Sequence, residues 1–246
     1  NTISARLMDK VGPQPVVALA RKMGIKSYLP KVPSIALGSP DISLFEMVGA
    51  YGTFANKGLY VEPIMVTSIE DKNGTVVYEV VPKTKDVLSE ETAYVTLNLM
   101  KGVTESGSGQ RLRHSGADEN NYAYKTIVTG YPYQFTNPIA GKTGTTQNQS
   151  DGWFMGIVPN LVTGVWVGGE DRSIHFEDIA FGQGASMALP IWALYMRDVY
   201  KNQNLGISQE DFEEPEKVSI PTDCDKFDSN KLNIIGADED LEDLGF

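Results

Sequence analysis

Apolar positions recur at helical spacing along the first part of the chain. Ile3, Leu7 and Val11 stand four apart and predict one helix face over residues 2–11, which Gly12-Pro13 ends. Pro15 suits a first turn, Val16, Leu19, Ala20 and Met23 form a second stripe, and Gly24 fits the left-handed position after it. Residues 25–40 hold three prolines and no period, which predicts an extended loop. Ser43 and Glu46 have the spacing of a capping box, and Leu44, Met47, Val48, Tyr51, Phe54 and Ala55 continue as a third helix ending near Gly58. Alternation from Tyr60 to Ile69, the turn residues Asp71-Lys72-Asn73-Gly74 and the β-rich Thr75 to Val81 predict a hairpin. Ser89 opens a helix carrying Ala93, Leu97, Met100 and Val103, and Glu105-Ser106-Gly107-Ser108-Gly109 reads as a flexible joint.

Residues 110–137 are polar and aromatic without a period, the pattern of a functional surface loop or of local disorder rather than packed structure. Its Tyr122, Tyr124, Tyr131, Tyr133 and Phe135 are candidate walls of a substrate groove. Beyond it the period changes. Ile139 to Thr145, Trp153 to Val158 and Leu161 to Gly168 predict strands joined by polar turns, hence an antiparallel sheet. Pro190 then starts a helix with Ile191, Trp192, Leu194, Tyr195 and Val199. The pattern alone gives a mixture of α and β.

A hydrophobic content of 41% is ample for a packed core, and the net charge of −11 is unevenly distributed. Residues 208–246 carry 13 acidic against 3 basic side chains, whereas residues 1–207 carry 19 against 18. The expected organisation is a nearly neutral body over 1–207 and an acidic, poorly packed tail over 208–246. A body without a basic stripe argues against nucleic acid as a partner. The lone Cys224 excludes an intrachain disulfide and leaves the compartment open. No run approaches the roughly 20 apolar residues of a spanning helix, and no signal pattern precedes the body. His114 and His175 have no metal-ligand spacing around them, so neither a metal nor another cofactor is expected.

The chemistry concentrates in Gly141-Lys142-Thr143-Gly144-Thr145-Thr146. A Lys-Thr-Gly triplet arises by chance in roughly 5% of chains of this length at average composition, so its context decides its meaning. A phosphate-binding loop needs a glycine at position 136, which is Thr136, and a helix after the lysine, where a polar turn stands instead. A strand gives each residue a task. Lys142 is a fixed cation for a substrate carboxylate and tunes a neighbouring hydroxyl, and Thr143 and Thr145 offer hydroxyl donors to the same carboxylate. Gly144 lets a peptide approach the strand edge, and the Thr145 N–H is a candidate oxyanion donor.

Six ordered stretches carry a family resemblance: Asn1 to Leu7, Glu46 to Gly58, Thr92 to Gly109, Gly141 to Thr146, Asp151 to Phe154 with Trp166 to Gly168, and Ala185 to Trp192. From Asn1 to about Lys201 the chain resembles the transpeptidase domain of a class A, bifunctional penicillin-binding protein. The resemblance implies an α/β fold of the serine β-lactamase and D,D-transpeptidase type, with helices flanking an antiparallel sheet and incomplete on its N-terminal side. It implies a serine acyl-enzyme that cross-links the D-Ala-D-Ala ends of peptidoglycan stem peptides and is inactivated by penicillins and other β-lactams.

By the same resemblance, Lys142, Thr143 and Gly144 correspond to the family's third motif and Asn1 to the last residue of its Ser-x-Asn motif. No Ser-x-x-Lys occurs. The nucleophile, a glycosyltransferase domain and the membrane anchor are therefore expected upstream, with the enzyme on the outer, periplasmic face of the cytoplasmic membrane and this piece inactive alone. Two rival readings are a carboxypeptidase or β-lactamase-like hydrolase on the same scaffold and a non-catalytic peptidoglycan-binding module.

Overall fold

The computed structural model describes residues 2–113, 133–220 and 222. Two short helices, α1 (Thr2–Val11) and α2 (Pro13–Lys22), lead through a 3₁₀ turn (Pro33–Leu37) to α3 (Leu44–Ala55). Two small antiparallel pairs follow: β1 (Leu59–Val61) with β4 (Thr84–Asp86), and β2 (Ser68–Glu70) with β3 (Val76–Glu79). The long helix α4 (Glu90–Glu105) precedes the three-stranded antiparallel sheet of β5 (Ala140–Thr145), β6 (Asp151–Val158) and β7 (Leu161–Gly168), with β6 in the middle. A single turn, α5 (Ile179–Gly182), and the last long helix, α6 (Gly184–Lys201), complete the order. The mixed α/β class and the antiparallel sheet flanked by helices are as the sequence led one to expect.

The strand period assigns the faces. Gly152, Phe154 and Gly156 share one face of β6, since alternate strand residues point the same way. A Cβ on Gly156 would stand 2.3 Å from the Trp192 ring, and one on Gly152 would stand 2.5 Å from Met187, so both glycines are the recesses that seat α6. Trp192 is fully buried there with Phe154, Leu189 and Met196. On the opposite face Ile157 and Ala140 pack with Leu97 of α4, flanked by Tyr51 and Phe54 of α3. A third cluster, around Val17, Met23, Ile25, Leu29, Ala50 and Val87, joins α2 to the far side of α3.

The capping box forms as predicted: Ser43 Oγ accepts from Glu46 N, and the Glu46 carboxylate accepts from Ser43 N. Four expectations are corrected. The Ile3, Leu7 and Val11 face of α1 is exposed, and Met8 is the buried residue of that helix. Helical spacing identifies a face but not the element that covers it. α6 starts at Gly184, leaving Pro190 inside it. The Gly107-Ser108-Gly109 joint is a fixed turn, because Ser106 N and Gly107 N both donate to Gly102 O and Gly109 N donates to Val103 O, satisfying the last carbonyls of α4.

The fourth correction concerns the tail. Its residues 208–220 lie on the body: Phe212 is buried in the Leu97, Ala140 and Ile157 cluster, and Ser208 N donates to Asn160 Oδ1. Lys101 pairs with Asp211 at 2.8 Å, Lys57 pairs with Glu213 at 2.8 Å, and Glu91 accepts from Ser219 and Ile220. Acidic composition hides an aromatic anchor, Phe212, and the basic partners that body residues provide. Residues 223–246 lie outside those described.

Candidate active site

The Lys-Thr-Gly sequence lies within β5, in register with β6: Lys142 faces Met155, Thr143 faces Phe154, Gly144 faces Trp153 and Thr145 faces Gly152. Among the described residues no strand pairs with the other edge of β5. The strand runs on past the lysine and returns through a 3₁₀ turn at Gln147–Gln149 into β6, so no helix N-terminus follows Lys142.

Each residue of the motif is held differently. Lys142 Nζ donates to Thr143 O at 2.6 Å. Its side chain reaches solvent, yet enough protein surrounds the ammonium for desolvation to lower its pKa below the ordinary lysine value. Thr143 Oγ1 lies 2.6 Å from Ser108 Oγ, at the turn after α4. A Cβ on Gly144 would come within 3.0 Å of Trp153 Cβ, so that glycine is a close approach to the neighbouring strand's tryptophan. Thr145 Oγ1 accepts from Gly184 N at 3.0 Å and thereby caps the first turn of α6, which has no side-chain cap of its own. With its oxygen accepting from α6, the Thr145 hydroxyl keeps its proton for another partner.

The neighbouring turn is fixed through Asp151. Its carboxylate accepts from Thr146 Oγ1 at 3.1 Å and from Trp166 Nε1 at 3.0 Å, and Arg172 Nε lies 3.9 Å away. Arg172 also pairs with Asp41, in the loop before α3. The start of β5 is tied to α4 and its exit: Thr104 Oγ1 donates to Ile139 O at 2.6 Å, and the Arg113 guanidinium donates to Phe135 O, Asn137 O and Thr104 Oγ1. Arg111 donates to Ala185 O and Ser186 Oγ, and Ser186 donates to Ala180 O, so the turn after α4 and the start of α6 are locked together.

Lys142, Thr143, Gly144 and Thr145 therefore stand on one strand, while Asn1 lies outside the described residues. Of the loop aromatics, Tyr133 and Phe135 are core residues beside Leu112 and Trp192 rather than groove walls; Tyr122, Tyr124 and Tyr131 lie outside the described residues. Ser108, Arg111, Thr104 and Asp151 were given no role by sequence pattern, although all but Arg111 lie in stretches that carry the family resemblance. The glycines flanking Ser108 were the available signal: a Cβ on Gly107 would stand 2.8 Å from Val103 Cα, a restriction that a tight turn imposes and a linker does not.

Comparison with known proteins decides what this geometry belongs to. Residues 24–170 match the penicillin binding protein transpeptidase domain. The chain belongs to that family. It is 31% identical, over 98% of its length, to penicillin-binding protein 1A of Aquifex aeolicus, and 34% identical, over 78% of its length, to penicillin-binding protein 2D of Bacillus subtilis. It spans only 29% and 25% of those two relatives. The crystal structure of penicillin-binding protein 1A from Haemophilus influenzae shares the fold, with a TM-score of 0.70 at 22% identity over 88% of this chain and 34% of that one. The family agrees with the resemblance carried by the six ordered stretches, and it places the Lys-Thr-Gly strand inside the matched region.

Proposed function

We propose that the parent protein is a D,D-transpeptidase that cross-links peptidoglycan stem peptides through a serine acyl-enzyme and is acylated by β-lactams. The observation that carries this reading is the Lys142-Thr143-Gly144-Thr145 run on a strand edge with which no described strand pairs, within a chain of the penicillin-binding transpeptidase family. An extended peptide adds to such an edge through main-chain hydrogen bonds. Lys142 supplies the positive charge for the terminal carboxylate of the substrate, and the Thr143 and Thr145 hydroxyls donate to it. The Thr145 N–H is the candidate donor to the oxyanion of the tetrahedral intermediate, a contact typically worth ~3 kcal/mol.

The serine nucleophile and the lysine that activates it are assigned to a part of the parent outside these 246 residues, since no Ser-x-x-Lys occurs within them. Asn1 is assigned, on its motif alone, as the last residue of a Ser-x-Asn motif. The proposed setting is the outer face of the cytoplasmic membrane, with the anchor and a glycosyltransferase domain elsewhere in the parent; among the described residues no helix is long and apolar enough to cross a membrane. The proposed division of the chain is a transpeptidase portion over 1–207 followed by the acidic segment 208–246.

Labelling the full-length parent and this 246-residue piece with a fluorescent penicillin, followed by mass spectrometry, tests the reading. Labelling of the parent alone, on a serine outside this piece, is the expected result. A folded parent that takes no label is a non-catalytic binding module, and one that turns the penicillin over rapidly is a hydrolase.

A further inference from the structure

A side-chain partner of the Lys-Thr-Gly run comes from 35 residues earlier in the chain. Ser108 Oγ stands 2.6 Å from Thr143 Oγ1, and either hydroxyl can be the donor. Ser108 is exposed and sits in a turn that is fixed on both sides. On its α4 side, the flanking Gly107 N and Gly109 N donate to Gly102 O and Val103 O of α4. Downstream, Arg111 donates to Ala185 O and Ser186 Oγ at the start of α6. The glycines on either side of the serine are packed against α4: a Cβ on Gly109 would stand 3.2 Å from Val103 O and 3.5 Å from the Phe154 ring.

We propose that Ser108 is a positioning residue for the carboxylate-binding hydroxyl of Thr143. This rests on the reading of Thr143 given above. A carboxylate arriving at β5 accepts hydrogen bonds only, so it selects the arrangement in which Thr143 donates to it. Thr143 Oγ1 then accepts from Ser108, and the chain runs from Ser108 O–H to Thr143 Oγ1 and from Thr143 O–H to the carboxylate. No bond is made or broken. Accepting a hydrogen bond makes the Thr143 hydroxyl a stronger donor and fixes its rotor, so the group is oriented before the ligand arrives. Thr145 is held in the same sense by Gly184 N, with its oxygen accepting and its proton free. The two threonines of β5 are thus primed by different elements, one by the turn after α4 and the other by the first turn of α6.

The test uses the full-length parent and the second-order rate of acylation by a fluorescent penicillin, as free acid and as methyl ester. Ser108→Ala is expected to slow acylation by the acid about tenfold and by the ester less than twofold. Ser108→Thr, which keeps the hydroxyl, is expected to recover the acid rate to within about threefold. In a Thr143→Ala background, Ser108→Ala is expected to cost less than twofold, because its target is gone. Equal losses with acid and ester, failure of Ser108→Thr to recover the rate, or an undiminished effect in the Thr143→Ala background would each overturn the proposal. If wild type is acylated and Ser108→Ala matches it, only the role of Ser108 fails. If folded wild type is not acylated, the transpeptidase reading fails and takes this role with it.

Discussion

Lys142 and Glu46 are two side chains whose surroundings shift their titration, against the charged form at Lys142 and in favour of it at Glu46. Desolvation lowers the pKa of Lys142, so its ammonium is kept at a cost that a carboxylate ligand would offset. Lys142→Ala in the full-length parent should slow penicillin acylation at least about tenfold while leaving the melting temperature nearly unchanged, because the proposed role of the lost group is on the bound carboxylate and the transition state. Stopped-flow acylation and thermal melts on the same preparations separate the two effects; equal acylation rates would remove Lys142 from the site. Glu46 accepts from Ser27 Oγ, Lys26 N, Ser27 N and the Ser43 cap, and the Ser27 hydroxyl above all holds its pKa at about 2 against an ordinary 4.5. A depressed carboxylate pKa stabilises the fold above about pH 4.5, and that contribution disappears as pH falls towards 2. Glu46→Gln should lower stability by roughly 1–2 kcal/mol at pH 7, a modest figure because solvent screens part of the interaction, and the gap to wild type should close between pH 4.5 and 2. Melting curves at pH 7, 4 and 2.5 check this, and a gap independent of pH would assign the loss to shape.

At the scale of elements, the docking of α6 on β5 and β6 organises the site. A Cβ on Gly184 would stand 2.2 Å from Gly144 O and 2.5 Å from Trp153 O, both backbone atoms that no rotamer change can move. Gly184→Ala should therefore push α6 off the strand, costing about 2 kcal/mol and some 4–8 °C in Tm, and should also slow acylation by loosening the Thr145 cap. Gly52→Ala, within α3 and with nothing within 4 Å of the added methyl, is the control; it should leave Tm unchanged or raise it, because alanine leaves the unfolded chain less conformational freedom to lose. Most of these elements were legible in the sequence because their signals are local: the Ser43 and Glu46 box, the turn at Asp71 to Gly74, and the apolar strands before and after Pro159-Asn160. The start of α6 was not, because Pro190 is a good first-turn residue and the true first turn is capped by Thr145, 39 residues away. Lys142 to Thr145 were legible as a strand motif for the same local reason. Ser108, Arg111 and Asp151 were not, since their partners lie on other elements and only the fold brings them together.

Across the whole molecule, the three-stranded sheet lies between α6 on one face and α3 with α4 on the other, and the chain beyond α6 crosses back to the second of these layers. Phe212 is the apolar anchor of that return, with Leu97, Ala140 and Ile157 around it, and Ala140 is the first residue of the Lys-Thr-Gly strand. The ion pairs beside it, Lys101 with Asp211 and Lys57 with Glu213, have solvent-exposed acidic partners and contribute little individually. Burial of the ring, rather than the charge of the segment, should hold it in place. Phe212→Ala should then destabilise the protein by about 3 kcal/mol, a Tm loss of roughly 6–12 °C, whereas Asp211→Asn should cost less than about 1 kcal/mol. The Phe212→Ala loss should persist in 0.5 M salt, where exposed ion pairs are screened. A loss seen only at low salt would mean that charge holds the segment, and an unchanged Tm would return residues 208–220 to the status of a solvated tail.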